Sequence, residues 1–174
     1  MGPRAVVIGP PGAGKTTIGR LLAQRLDVVF RDTDDDIVQT AGRPIADIFA
    51  NDGEPAFRAI EEDAVAAALR DHDGVLALGG GSVLSELTRE RLAGHPVVFL
   101  SVGLAEGAKR VGLSTARPLL AGVNPRATFK ALLDARVPIY RSVAAVEIVT
   151  DHVEPAEVVE RVVAALSAHR TPSS

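Results

Sequence analysis

The sequence predicts a three-layer α/β/α fold in which a parallel sheet is covered by helices on both faces. Five short apolar segments alternate with longer segments whose apolar residues recur at helical spacing. Most of the short segments have no polar position, as expected for strands that are buried on both faces. The strands are expected at residues 4–8, 28–30, 75–78, 97–100 and 146–149.

Size and composition are those of one globular domain. The chain has 174 residues, of which 47% are apolar and 24% charged, enough to bury a core. Its net charge of −3 and its 3% of aromatic residues do not suit a nucleic-acid surface. It has no cysteine, and no apolar run approaches the roughly 20 residues of a membrane helix. We expect a cytoplasmic monomer that binds neither nucleic acid nor membrane, with one domain over residues 1–170 and a frayed tail at 171–174.

Two segments depart from the simple alternation of strands and helices. The other helices are expected at residues 17–26, 54–70, 84–92, 104–111, 125–140 and 155–169. Between residues 34 and 57, two short helical pieces are separated by Gly42-Arg43-Pro44 where one crossover would suffice. We interpret residues 33–61 as an inserted acceptor-binding segment. Residues 112–124 are rich in turn-forming residues and predict a mobile lid that carries Arg117.

A glycine-rich loop between the first strand and the first helix is the strongest functional signal. Residues 9–16 read Gly-Pro-Pro-Gly-Ala-Gly-Lys-Thr, which fits the G-x-x-x-x-G-K-[ST] pattern of phosphate-binding loops in the required context. Backbone amides and the amino end of the helix would face the phosphates, while the lysine adds charge and the Thr16 hydroxyl is a ligand for Mg²⁺. The predicted ATP contacts here are Gly12, Ala13, Gly14, Lys15, Thr16 and Thr17. The loop does not identify the reaction, because switches, motors and kinases share it.

Two aspartates follow the second expected strand, at the sheet edge where ligands bind in open α/β folds. Asp32 and Asp34 are two residues apart, so in an extended segment both side chains project the same way. One could hold hydrated Mg²⁺ and the other a substrate hydroxyl. A solvated acidic turn or a helix cap is the alternative, since Asp35 and Asp36 continue the acidic run. We interpret Asp32 as a metal-site residue and Asp34 as a substrate-binding and catalytic residue.

Three glycines and two arginines complete the candidate acceptor site. Residues 79–81 are all glycine and directly follow the third strand, so a ligand could approach their amides closely, although a flexible turn is the alternative. Arg58 and Glu61 are three apart on a predicted helix and share a face, as an ordinary surface pair also would. Arg136 on a later helix is equally ambiguous by itself, and Arg117 could merely keep an exposed loop soluble.

Taken in order along the chain, these motifs resemble the motif set of the shikimate kinase family. The resemblance runs through nearly the whole chain, and agreement of several spaced motifs is more specific than any one of them. Residues 42–49 and Phe57-Arg58 also stand where actinobacterial members have their acceptor subdomain. Residues 151–154 differ from the basic-polar loop typical of the family. The motifs are residues 9–16, 32–34, Arg58 with Glu61, residues 79–81, Arg117-Pro118-Leu119-Leu120 and Arg136.

The resemblance implies a P-loop NTPase fold with a five-stranded parallel sheet and a lid that closes over ATP. It implies ATP-dependent phosphorylation of shikimate at its 3-hydroxyl, with Mg²⁺ as cofactor. Arg58 and Arg136 would clamp the carboxylate of shikimate, Glu61 would orient Arg58, and Arg110 and Pro155 would flank the adenine. The implied substrate-binding residues are Asp34, Phe49, Phe57, Arg58, Glu61, Gly79, Gly80, Gly81 and Arg136.

The expected mechanism depends on positioning, because phosphoryl transfer has a loose transition state. Lys15, Mg²⁺ and Arg117 would surround the transferred group, and Asp34 would orient the acceptor hydroxyl and accept its proton.

Two other functions are compatible with part of the pattern. A gluconate or nucleoside monophosphate kinase would share the phosphate loop and lid but need another acceptor pocket. A non-catalytic nucleotide switch would not need Arg58, Arg136 and Asp34 as well.

Overall fold

The computed structural model describes residues 2–112 and 124–170. All strand pairings are parallel, and the strand order across the sheet is β2-β3-β1-β4-β5. The predicted five-stranded parallel sheet is confirmed. Most of the predicted lid and the whole predicted tail lie outside the described residues. The strands are β1 (Ala5–Ile8), β2 (Phe30–Asp32), β3 (Val75–Ala77), β4 (Val97–Ser101) and β5 (Val146–Val149).

Helices cover both faces of the sheet, which confirms the three-layer α/β/α arrangement. Within the described residues, no helix combines the length and the apolar character needed to cross a bilayer. The α-helices are α1 (Lys15–Leu26), α2 (Thr33–Ala41), α3 (Ile45–Asp52), α4 (Glu54–Asp71), α5 (Glu86–Leu92), α6 (Leu104–Gly112), α7 (Pro125–Val143) and α8 (Pro155–Arg170).

The central strand β1 shows why the sheet needs both helical layers. Ala5 and Val7 pack in one apolar cluster with residues of α1, α6 and α8, whereas Val6 and Ile8 pack in a second cluster with residues of α4 and α5. Successive residues of a strand face opposite sides of a sheet. All four residues are at most 1% exposed. The continuous apolar run is therefore explained by burial on both faces.

The expected position of the second strand is wrong by two residues. Helix α1 ends at Leu26, Asp27 adopts a left-handed conformation with φ 55°, and the Val28 amide donates to the carbonyl of Ala23 at 2.9 Å. Residues 28–29 thus belong to the connection that leaves the helix, and Val29 is 73% exposed. The strand begins at Phe30, which makes Asp32 its last residue.

Residues 33–61, the predicted acceptor segment, contain the two short helices expected from the sequence. Gly42 ends α2 in a left-handed conformation with φ 70°, and Pro44 precedes the first residue of α3. Ile37, Ile48 and Phe57 form a small separate core that holds α2 and α3 against α4. The helix expected at 84–92 is interrupted, because Ser85 caps α5 after a short 3-10 helix at Ser82–Leu84. Because α2 begins directly after β2, the predicted acceptor segment lies next to the sheet edge at which β2 and β3 end.

Gly107→Ala tests the close packing of α6 against α7. A Cβ at Gly107 would lie 2.6 Å from Cε1 of Phe129 and 3.1 Å from Cγ1 of Val102, and Phe129 is completely buried. Alanine favours a helix over glycine by about 1 kcal/mol. Overpacking is expected to outweigh this gain and lower the free energy of unfolding by about 1–3 kcal/mol.

Urea denaturation measures the effect of Gly107→Ala. Ala105→Gly, at an exposed position of the same helix, is the control and should cost only the propensity difference of about 1 kcal/mol. A Gly107→Ala protein that is more stable than the parent would show that the Phe129 ring can move aside.

Candidate active site

The phosphate loop, residues 9–16, connects β1 to α1 in a conformation that requires glycine. Gly12 and Gly14 have φ values of 83° and 86°, which residues with a side chain rarely adopt. Lys15 is buried, and its Nζ donates to the carbonyl oxygens of Gly9 at 2.8 Å and Pro10 at 3.1 Å. In the described chain, no side chain caps the amino end of α1 and no acidic residue lies in its first turn. This end of the helix therefore suits an anion.

Asp32 and Asp34 are brought together by a helix cap and not by an extended segment. Asp32 ends β2 and precedes α2, and its Oδ1 accepts a hydrogen bond from the Asp34 amide at 2.9 Å. Asp34 lies in the first turn of α2, so the expectation of an extended arrangement is wrong. The Oδ2 of Asp32 accepts from the Thr16 hydroxyl at 3.3 Å. Asp32 thus caps the helix and also faces the phosphate loop.

The surroundings of Asp32 favour a cation. Burial raises the pKa of its carboxyl above the ordinary value, and the negative charge of Asp34 raises the pKa further. A divalent cation would relieve both effects. Thr16 and Asp32 offer the hard oxygen ligands that Mg²⁺ prefers, and within residues 2–112 and 124–170 no three His, Asp or Glu residues form a metal cluster. The donor set fits an ion that keeps several water and phosphate ligands.

Arg58 and Glu61 form a largely buried ion pair, so the alternative of an ordinary surface pair is wrong. Nη1 of Arg58 donates to Oε1 of Glu61 at 2.8 Å, and only 3% of Glu61 is exposed. Residues 79–81, the triple-glycine loop, leave space for this pair. A Cβ at Gly81 would lie 2.6 Å from Cζ of Arg58, and one at Gly79 would lie within 2.9 Å of both Asp34 Oδ1 and Glu61 Oε2. The absence of side chains at Gly79 and Gly81 leaves room for the charged side chains of Asp34, Arg58 and Glu61.

Arg136 is a buried cation beside the same loop. It is 8% exposed, and its Nη1 would lie 3.6 Å from a Cβ at Gly80. Among the residues that the structure describes, none accepts a hydrogen bond from its guanidinium. A buried charge without an acceptor is unfavourable, and an anionic ligand would remove that cost.

The triple-glycine loop packs directly on the phosphate loop. A Cβ at Gly80 would lie 3.3 Å from Cδ of Pro11 and 3.4 Å from the carbonyl oxygen of Gly9. The two loops therefore place Lys15 and both arginines at one edge of the sheet. A cleft of about 270 Å³ opens there, lined by Gly12, Gly14, Lys15, Thr16, Thr17, Asp32, Asp34, Leu78, Gly80, Arg110 and Val111.

Arg110 connects α6 to the phosphate loop and to Thr150, the residue that follows β5. Its Nη1 donates to the Gly12 carbonyl and the Thr150 hydroxyl, both at 3.1 Å, and its Nη2 donates to the Thr150 carbonyl at 3.1 Å. The atypical segment 151–154 is fixed at its start, because the two carboxylate oxygens of Asp151 share a bifurcated hydrogen bond from the Gly103 N–H. Pro155 is the exposed first residue of α8. Contacts of Arg110 and Pro155 with adenine remain predictions.

Other predicted residues fall on or beside the acceptor segment. Phe49 and Phe57 pack against each other with ring centroids 4.6 Å apart, and Arg58 lies over the Phe57 ring at 5.2 Å. Ala13 is buried within the phosphate loop. Arg117 lies outside the described residues. The structure therefore brings most of the predicted acceptor residues together around the triple-glycine loop.

Two residues near the site were missed in the sequence. Glu54 accepts from Nε and Nη2 of Arg58 at 3.4 and 3.3 Å, and the Tyr140 hydroxyl donates to the Gly80 carbonyl at 2.5 Å. Each lies four residues from a predicted arginine, at Arg58 and Arg136. This i, i+4 spacing on a helix was the available signal.

A larger cavity of about 480 Å³ lies at the opposite edge of the sheet. The carboxyl ends of α5, α7 and α8 meet there, and their partial negative charge favours the guanidinium groups of Arg89 and Arg170 without any ligand. The cleft beside the phosphate loop is therefore the candidate active site.

Comparison with known proteins now assigns the fold and site to a family. The model of the family described as shikimate kinase matches residues 11–167. The chain belongs to the shikimate kinase family. It is 74% identical over 170 residues to a shikimate kinase of Saccharopolyspora erythraea, covering 98% of this chain and 97% of the relative. It is 55% identical over 167 residues to that of Rhodococcus jostii, covering 96% and 99%. The predicted resemblance, including its actinobacterial character, is confirmed.

Solved structures agree with this family membership. The shikimate kinase from Acinetobacter baumannii in complex with shikimate superposes with a TM-score of 0.93 at 33% identity, covering 98% of this chain and 96% of that one. A gluconokinase from Sinorhizobium meliloti superposes with a TM-score of 0.58 at 22% identity, covering 95% and 92%. The second similarity shows a common fold alone.

Asp32→Asn is expected to stabilise the protein at neutral pH when metal and nucleotide are removed. The pKa of Asp32 is raised in the folded state, so folding favours the protonated carboxyl. The resulting cost is absent below the ordinary value of 3.8 and develops as the pH rises through the folded pKa. Asparagine removes the charge but keeps an oxygen that can accept from the Asp34 amide.

Urea denaturation near pH 7 and near pH 3 measures this prediction as a difference in unfolding free energy between variant and parent. The difference should be present near neutrality and vanish in acid. Asp47→Asn is the control, because it removes an exposed carboxylate from the first turn of another helix, α3, and should not stabilise the protein. A gain from Asp32→Asn that is equal at both pH values would contradict the explanation.

Proposed function

We propose that this protein transfers the γ-phosphoryl group of ATP to the 3-hydroxyl of shikimate and forms shikimate 3-phosphate. The observation that carries the proposal is the position of Arg58 and Arg136, which flank the triple-glycine loop on the same sheet edge as Lys15. Two planar cations suit a small carboxylate when they lie beside backbone amides that have no acceptor among the described residues. The near-complete match to shikimate kinases supports the same conclusion.

On the nucleotide side, the amides of residues 12–17 and the ammonium of Lys15 hold the phosphates of ATP. The Lys15 Nζ now bonds to loop carbonyls and is close enough to the loop to contact a phosphate held there. Thr16 and Asp32 hold Mg²⁺, which when bound offsets negative charge on the phosphate oxygens. Arg110 and Pro155 flank the adenine, and Arg117 contacts the transferred group in the manner of an arginine finger.

On the acceptor side, Arg58 and Arg136 bind the carboxylate of shikimate and Glu61 keeps Arg58 in place. Both cations are largely buried, which strengthens their interaction with an anion. The amides of Gly79, Gly80 and Gly81 can be approached closely because these residues have no side chain of their own. Phe49 and Phe57 form the apolar wall of the acceptor segment.

The chemical step needs alignment and one proton acceptor. The bond between the γ-phosphorus and the β,γ-bridging oxygen breaks, and a bond from the 3-hydroxyl oxygen to the same phosphorus forms. The hydroxyl proton passes to the carboxylate of Asp34, which lies beside both Asp32 and Gly79. A base contributes less here than in acyl transfer because the transition state is loose.

The two alternative functions explain less of the site. A gluconate or nucleoside monophosphate kinase needs an acceptor pocket other than paired arginines with three glycines. A nucleotide switch leaves the buried Arg136 without a ligand. The monomeric state, the cytoplasmic location and the absence of nucleic-acid and membrane partners stay predictions.

ADP production with a panel of acceptors tests the proposed function. Shikimate should support turnover at least about 100-fold above quinate, gluconate or any nucleoside monophosphate, because several buried polar groups must be matched together. Turnover should require Mg²⁺ and stop when EDTA is added. Equal turnover with gluconate, or ADP release that no acceptor stimulates, would exclude the proposal.

Arg58→Lys tests the assignment of the carboxylate clamp. Lysine keeps the charge but loses the planar fork that suits a carboxylate, so the KM for shikimate should rise about tenfold or more while the KM for ATP changes less than about twofold. Steady-state kinetics with each substrate varied in turn measures both constants. Arg161→Lys is the matched control, since Arg161 also pairs with a first-turn glutamate four residues earlier. Parallel changes in both constants would refute the role of Arg58.

A further inference from the structure

Tyr140 places a buried hydroxyl at the acceptor site, and the mechanism above does not use it. The residue is completely buried, and its ring lies 5.0 Å from that of Phe99 within an apolar cluster. Its hydroxyl donates to the Gly80 carbonyl at 2.5 Å. Packing alone would be served equally well by phenylalanine, so the hydroxyl needs its own explanation.

The bond falls on a peptide unit that the sequence leaves unusually free to rotate. Both Gly80 and Gly81 lack a Cβ, so steric contacts restrain the plane of the peptide between them very little. In a trans peptide the C=O and the N–H point in opposite directions. By holding the Gly80 carbonyl, Tyr140 therefore also fixes the direction of the Gly81 N–H, away from itself.

This N–H is available for a ligand. Within residues 2–112 and 124–170, no group accepts a hydrogen bond from the amide of Gly80 or of Gly81. Buried amides without an acceptor are rare, and Gly81 is buried. A polar ligand would satisfy both donors only if the peptide plane has one defined orientation.

Helix α7 connects this peptide to the carboxylate clamp. Arg136 precedes Tyr140 by four residues, so both side chains leave the same face of the helix. Arg136 lies beside Gly80, and Tyr140 bonds to the Gly80 carbonyl. The hydroxyl thus sets the position of the loop relative to the Arg136 guanidinium.

We propose that Tyr140 is a positioning residue for the acceptor: its hydroxyl holds the Gly80–Gly81 peptide in the orientation that presents the Gly81 N–H to the bound acid. The inference rests on the proposed function for the identity of the acid. The orientation of the peptide is a property of the ligand-free protein and can be measured without it.

Tyr140→Phe removes the oxygen and keeps the ring. The KM for shikimate should rise about tenfold, as expected when one buried hydrogen bond no longer orients the site. The KM for ATP should change less than about twofold, because the phosphate loop keeps its own hydrogen bonds to Lys15. An unchanged KM for shikimate, or an equal rise in both constants, would overturn the proposal.

Phe99→Leu is the matched control, because Phe99 is the ring partner of Tyr140 in the same apolar cluster. It should lower the thermal midpoint at least as much as Tyr140→Phe and leave the KM for shikimate within about twofold. A rise in that KM equal to the rise in Tyr140→Phe would show that loss of packing is the cause and would overturn the positioning role.

Amide NMR of the ligand-free protein separates this inference from the proposed function. The parent protein should show single signals for Gly80 and Gly81, and Tyr140→Phe should show doubled or exchange-broadened ones as the peptide rotates. Adding shikimate to the parent should shift the Gly81 amide signal, which tests the proposal even if the variant does not fold. Gly81 signals that are the same in Tyr140→Phe as in the parent, or that do not shift when shikimate is added to the parent, would overturn the inference. Absence of turnover with shikimate in the parent would overturn the proposed function.

Discussion

The close contact between the triple-glycine loop and the phosphate loop determines the geometry of the whole site. A Cβ at Gly80 would lie 3.3 Å from Cδ of Pro11 and 3.4 Å from the carbonyl oxygen of Gly9. The triple-glycine loop and the phosphate loop therefore pack directly on each other. A side chain at position 80 would press on Pro11 and on the Gly9 carbonyl. Because β1 and β3 are neighbours in the sheet, this contact follows from the strand order, and in-line transfer between the two substrates becomes possible.

The site holds charged side chains in positions that are unfavourable for a charge. Arg136 is buried beside Gly80, and burial and the neighbouring Asp34 raise the pKa of Asp32. A ligand of opposite charge would reduce each of these costs. Arg58 differs, because Glu61 neutralises it in advance. The two arginines of the proposed carboxylate clamp therefore differ, because Glu61 pairs with Arg58 whereas no described residue accepts a hydrogen bond from Arg136.

Much of the fold and of the site could be predicted from the sequence. Periodicity identified the parallel sheet and most helices, and the phosphate-loop pattern fixed the position of Lys15. The start of β2 was missed because Val28 and Val29 are apolar although they only complete the exit from α1. The burial of Arg58 could not be predicted either, since it depends on the absence of a Cβ at Gly81, a residue distant in the chain. Composition and spacing carry no information about such contacts between elements.

Arg110 connects helix α6 to the phosphate loop and to Thr150. One guanidinium holds the carbonyl of Gly12 and both oxygens of Thr150, and it stands two residues before the end of α6. The chain that follows α6 is the segment carrying Arg117. The guanidinium therefore ties the orientation of α6 to the Gly12 peptide of the phosphate loop. The same side chain also holds the residue that follows β5, so three stretches far apart in the sequence converge on one planar group.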